Sequence, residues 1–303
     1  MHVTVIAAFF DVSGTVVSMC SASIILFFIA LWAAKGDIAW ARGLDKIVAL
    51  SNLCFAIPLA VFGAEHFSAA RGIMQIVPKF MPWPLFWTYF VGCALLAASL
   101  SIATKIQVRW SGLLFGIMMF LFVAMMDLPG TLAKPHDRFN WTLMLREMSF
   151  GAGGWVLAGS AMREQSRGQG NSALITVGRI VIGIAAIFYG VEHFLHPVNV
   201  PGVPLEKFMP LWIPGRLIIG YVTGAILVIA GTGILLGRKT RMAATYLGTW
   251  IFLLVVFIYG PILIASTLDP STDVKVEGLN YFFDTLLYAG AILAVASATP
   301  RVD

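Results

Sequence analysis

Two short stretches of this sequence set an acid beside an imidazole at the close of an apolar run: Phe62-Gly63-Ala64-Glu65-His66-Phe67 and Tyr189-Gly190-Val191-Glu192-His193-Phe194. A carboxylate next to an imidazole can hold and pass protons, or fix a small polar ligand by hydrogen bonds. Each couple is followed by a lysine in a Pro-rich aromatic loop, Lys79-Phe80-Met81-Pro82 and Lys207-Phe208-Met209-Pro210. Further ionisable groups come later at matching places. The first half has Asp127 and the adjacent Arg146-Glu147; the second has Tyr259 in place of Asp127, Asp284 in place of Glu147, and Phe283 in place of the arginine. These eleven residues, from Glu65 to Asp284, are the candidates for ligand or proton binding. With no arginine beside it, Asp284 is expected to pair with Lys207 or His193.

Plainer readings stand beside these. The Glu-His couples can simply cap helix ends, Asp127 can be a helix-end acid, and Arg109 and Arg241 read as interfacial anchors. His193 and His196 are spaced to share a helix face, but the first half has Ser68 and Ala69 near the matching place, so no metal site is assigned. The Gly-rich run at 150–160 lacks the flanking strand and Lys-Ser/Thr of a phosphate loop. It reads, like Gly112/Gly116 and Gly220/Gly224, as close helix packing. Met118-Met119 and Met125-Met126 read as core. Cys20, Cys54 and Cys93 have no C-x-x-C spacing and read as buried packing residues. No nucleophile–base–acid series and no dinucleotide fingerprint is present, so the catalytic residues are unassigned.

The elements that must position these groups follow from composition. Of 303 residues, 59% are hydrophobic and 12% charged, and the mean hydropathy is +0.88. A soluble domain carries about twice that charge fraction. A bilayer core needs roughly 20 apolar residues of helix. About nine segments qualify, near 12–34, 45–64, 84–103, 109–127, 141–161, 174–191, 214–236, 242–262 and 280–298. The net charge of +5 is scattered over loops, with no stripe that would track nucleic acid. One set of loops is the more basic, with Lys35, Arg42, Lys46, Lys105, Arg109, Arg163, Arg167, Arg238, Lys239, Arg241 and Arg301. The positive-inside rule puts that set in the cytoplasm, the N-terminus outside and the C-terminus inside. The first segment has Asp11 ahead of it and no basic start, so it reads as a retained helix. His2 and His136 read as loop residues.

The matches form an internal repeat. Arg109, Gly116, Phe120 and Pro129 recur as Arg241, Gly248, Phe252 and Pro261, and Glu147, Gly153 and Ser160 as Asp284, Gly290 and Ser297. The blocks keep their order, which shared hydrophobicity does not require. The expected organisation is an all-α polytopic membrane protein: an extra helix in 1–44, a four-helix unit at 45–161, a cytoplasmic linker at 162–173, and a second unit at 174–303. An even helix count per unit makes the repeats parallel.

A four-helix unit with Glu-His-Phe closing its first helix, a Lys-Phe-Met-Pro loop, a basic residue opening its third helix and an acid early in its fourth resembles the DoxX/DoxX-like membrane proteins, here present twice. The resemblance covers about residues 45–161 and 174–298. It implies a bacterial cytoplasmic-membrane location. Because some branches of that family serve as the membrane subunit of thiosulfate:quinone oxidoreductase, it also implies a quinone as cofactor and a redox partner subunit. The alternatives are a proton-coupled small-solute transporter and a non-catalytic membrane scaffold.

Overall fold

The computed structural model describes residues 13–166 and 172–300. Expectations resting on His2, Asp11, Arg167, Arg301 and the middle of the linker lie outside the described residues. Nine long helices run through the rest: α1 (Gly14–Trp40), α2 (Asp45–Ser68), α3 (Pro84–Thr104), α4 (Val108–Ala133), α5 (Arg138–Gln165), α6 (Ser172–Leu195), α7 (Arg216–Leu236), α8 (Thr240–Thr267) and α9 (Thr272–Ala298). Among the described residues the one extended pairing is an isolated bridge between Asn199 and Phe208. Eight of the nine helices are long and apolar enough to cross a bilayer. The ninth, α5, carries Arg138, Arg146 and Glu147; it packs against α4, α6 and α9, so protein rather than lipid meets its polar side. The chain is an all-α polytopic integral membrane protein.

Contacts at the helix ends define two faces. At one, Thr15 of α1 donates to the Ser68 carbonyl of α2, Asn280 of α9 to Glu65 of α2, and Arg138 of α5 to Glu192 of α6. At the other, Asn52 of α2 donates to the Ile102 carbonyl of α3, Arg109 of α4 to Gln165 of α5, Arg163 of α5 to the Ala298 carbonyl of α9, and Arg241 of α8 to both the Ala296 carbonyl and Asp45. The helices therefore alternate in direction, and both Glu-His couples sit at the first face, here the site face. Arg109 and Arg241 do more than anchor: each ties the start of one helix to the end of another.

The repeat is visible in the packing. α2 packs on α3 as α6 packs on α7, and α4 on α5 as α8 on α9. The first helix of each unit also lies against the last helix of the other, α2 on α9 and α6 on α5, while α5 and α9 meet at the centre. α1 packs on α2 and α3 and has no counterpart in the second unit. Small residues permit the closest approaches, as the spacing predicts. A Cβ on Gly290 would stand 2.7 Å from the Phe55 backbone nitrogen, and one on Gly112 would stand 2.5 Å from the Gly154 carbonyl.

Equivalent places also carry equivalent irregularities. α4 and α8 each contain one π-helical turn, Val123–Asp127 and Val255–Tyr259. Pro129 and Pro261 follow two residues later. A proline has no N–H for the ladder and its ring crowds the carbonyl one turn back; a widened turn absorbs both. Asp127 and Tyr259 close these turns.

Three expectations are corrected. Cys54 is buried and Cys20 half-buried, but Cys93 is exposed on α3, a peripheral helix with a lipid-facing side where a small thiol needs no core. α9 starts eight residues before the apolar segment at 280, because a helix needs no apolarity to continue into "TDVKVEGL". The two Lys-Phe-Met-Pro loops are not alike. The first, after short turns at Ala70–Ile73 and Met74–Ile76, stays largely exposed; in the second, Lys207 and Phe208 are exposed but the preceding residues 199–205 are buried.

Candidate functional site

Arg146 sits eight residues into α5, about 12 Å along the helix axis from its start. Its guanidinium donates to Asp284 of α9 at 2.7 Å and lies 3.5 Å from the neighbouring Glu147 carboxylate. Asp284 is 7% exposed. A charge at this depth persists only with partners, and one arginine serves both acids. This corrects the expectation for Asp284: its partner is the first unit's arginine, reached because α5 and α9 run side by side, and neither Lys207 nor His193.

Beyond Glu147 the chain of polar groups continues. The carboxyl groups of Glu147 and Asp127 lie close enough to interact. Glu147 Oε2 and Asp127 Oδ2 are buried and have no hydrogen-bond partner among the described residues. The π-helical turn that ends at Asp127 brings this acid against α5.

Arg146 and Asp284 form the floor of a cavity of about 450 Å³ between the site-face ends of α1, α2, α5 and α9 and the 196–215 loop. Phe139, Leu143, Pro204 and Val276 supply its apolar walls. Asn280, Tyr281, Glu206 and Glu277 supply polar ones. Asn280 donates to Glu65 at 3.1 Å, so Glu65 supports the wall from behind. Tyr281 donates to Glu206. Lys207 bonds Glu277 at 2.8 Å, clasping the loop to α9, and that carboxylate holds the Lys207 ammonium above the ordinary lysine range. Two atoms of lining residues are themselves buried and have no partner among the described residues: Arg146 Nε, a donor, and Asn280 Oδ1, an acceptor.

The remaining candidates lie elsewhere. His66 and His193 each turn back to their own helix, Nδ1 to the Phe62 carbonyl at 2.7 Å and to the Tyr189 carbonyl at 2.5 Å. The i−4 carbonyl is the nearest polar group available to a ring on a packed helix end, and neither imidazole pairs with a carboxylate among the described residues. His193 is fully buried, and its Nε2 has no partner among the described residues. Glu192 accepts from Arg138 at 3.3 Å, and Arg138 also holds the Leu205 carbonyl at 2.9 Å. Lys79 is exposed on its loop and makes no ion pair among the described residues. Tyr259 faces Thr285 and Gly202, whose φ of 141° and lack of Cβ let the buried loop pass directly over both hydroxyls. Thr285 donates to the Val203 carbonyl, and Asn199 to the Leu205 and Glu206 carbonyls. The loop thus fills the second unit where the first keeps its acids.

So the structure gathers Arg146, Glu147, Asp284, Asp127 and, at one remove, Glu65. It leaves out both histidines, Lys79, Glu192 and Tyr259, and adds Asn280, Tyr281, Glu206 and Glu277. Asn280, Tyr281 and Glu277 carried one signal in the sequence, a polar helical stretch running directly into an apolar one; Glu206, in the 196–215 loop, carried none. The arrangement can hold a small molecule over the Arg146–Asp284 pair, beside the Asn280 amide and carboxyl groups able to exchange protons. Family models, curated proteins and solved structures were compared with this chain, and none matches.

Proposed function

We propose that this chain is a DoxX-like integral membrane protein that binds a quinone, or a comparable small carbonyl-bearing ring, in the Arg146–Asp284 cavity. One observation carries the reading: a cavity of about 450 Å³ in a largely apolar protein has a buried ion pair as its floor, with the Asn280 amide beside it. Such volumes suit a small ring, and few polar groups fix orientation in sites of this kind. The Arg146 guanidinium bonds a ring carbonyl, and the Asn280 side-chain amide bonds the hydroxyl of the reduced form. Asp284 holds or takes up the proton, with Glu147 and Asp127 behind it. A quinone supplies the redox chemistry when bound, and a partner subunit supplies electrons. The richer basic loops lie at the face opposite the cavity, so the cavity faces outward from a bacterial cytoplasmic membrane.

The test is tryptophan-fluorescence titration of detergent-purified protein with a short-chain quinone. Arg146→Lys and Asn280→Ala, checked for unchanged melting temperature, are expected to weaken binding roughly tenfold each, the scale of one lost buried hydrogen bond. Saturable binding unchanged in both variants would remove the cavity from the proposal. The Glu147–Asp127 carboxyl contact favours a second reading, proton-coupled solute transport. Proton-driven uptake into liposomes, lost in Glu147→Gln and seen without quinone binding, would select it.

A further inference from the structure

We propose that the groove between α7 and α8, at the face opposite the cavity, holds one anionic phospholipid. The groove has a volume of about 360 Å³. Its apolar wall is Ile226, Ile229 and Ala230 of α7 facing Met242 and Ala243 of α8. Its mouth is the turn between the helices, where Arg238 and Lys239 line it. Both side chains are exposed, and neither makes a hydrogen bond or ion pair among the described residues. No carboxylate lines the groove. A third cation lies under the same turn: the Arg179 guanidinium, bonded to the Ile234 and Leu235 carbonyls, stands 3.2 Å from where a Cβ on Gly237 would be.

The chemistry of the occupant follows from this layout. Two free cations at the helix ends suit a phosphate at the headgroup level, where each basic residue adds to attraction for anionic lipid. Tyr246 lines the groove six residues into α8, about 9 Å along the helix, and offers a hydroxyl to an ester carbonyl. The apolar wall beside and below it suits an acyl chain. The groove opens on a flank that lipid must cover, since Ile229 is 74% exposed and Tyr246 57%. A free anion would use the mouth and leave the wall bare.

The repeat provides an internal comparison. At the matching turn of the first unit, Ile106 and Gln107 stand where Arg238 and Lys239 are, and Lys105 is engaged by Asp37 of α1. A general demand for positive charge at this face would have been met at both turns. It is met with unpaired cations at the turn where the groove lies.

Native mass spectrometry of the detergent-purified full chain tests the site, using phosphatidylglycerol, phosphatidylcholine and inorganic phosphate as probes. Wild-type protein is expected to retain one phosphatidylglycerol under conditions that strip phosphatidylcholine. Arg238→Gln/Lys239→Gln is expected to lower that retention roughly tenfold or more. Ala243→Phe, which fills the groove and keeps the charges, is expected to lower it as well, while Gln107→Ala leaves it unchanged. Because the turn is exposed, the double variant should keep the wild-type melting temperature without lipid. Equal retention of phosphatidylcholine, wild-type retention in the double variant, or displacement of the lipid by millimolar phosphate would each overturn the proposal.

Discussion

Arg146 is the residue on which the polar interior turns. It neutralises Asp284 and lies against Glu147, with side chains 19%, 9% and 16% exposed respectively, so solvent does little to replace it. Removing one partner of a buried pair strands the other charge, at a cost of about 3–5 kcal/mol. Arg146→Met should therefore destabilise the protein strongly, and Arg146→Met/Asp284→Leu should recover much of the loss, both read as thermal unfolding in detergent. Lys207→Ala removes the half-exposed pair with Glu277 and should cost no more than about 1 kcal/mol, less in high salt. If the two single variants proved equally mild, the pair would not be the buried support described. The importance of Arg146 and Glu147 was legible from their depth in an apolar segment. The pairing with Asp284 was not, because those residues are 138 apart in sequence and only helix packing brings them together. The histidines misled for a related reason: residue type announces what a side chain can do, whereas the nearest acceptor decides what it does.

Among the elements, α2 and α9 depend on bare backbone contact. Gly290→Leu would drive a side chain into Cys54 and Phe55 and should cost about 1–3 kcal/mol or more by overpacking. Gly36→Ala, with nothing within 4 Å of its new Cβ, should leave stability unchanged or raise it by up to about 1 kcal/mol through helix propensity. Equal melting temperatures for the two variants would argue against a tight α2–α9 seam. Helix number and order were readable because apolar runs of bilayer length have few alternatives. The π-helical turns were announced only by Pro129 and Pro261, and the burial of residues 199–205 by nothing local. Both loops have the same proline-rich pattern; what differs is the space that each unit leaves, set by Tyr259 and Thr285 in one and by ionisable groups in the other.

At the scale of the whole molecule, alternating helix direction puts Phe80 and Phe208 on one side of the membrane and Ile106 and Lys239 on the other. All four are exposed, so each can be replaced by cysteine in a chain whose Cys20, Cys54 and Cys93 are alanine. An impermeant maleimide should label the first two in intact cells and the second two only after permeabilisation. Labelling of Phe80→Cys and Phe208→Cys from different sides would mean that the repeats are not parallel.

The exchange of partners across the repeat boundary has a corollary for how such a chain can be cut. A fragment ending near Gln165 would carry α2 without the helix that covers it, and the complementary fragment would carry α6 in the same plight. Neither piece is a freestanding body, so co-expressed halves should reassemble where either alone fails. A single unit with this packing needs a second to cover its first helix, and in this chain one arginine answers for two acids, one from each unit.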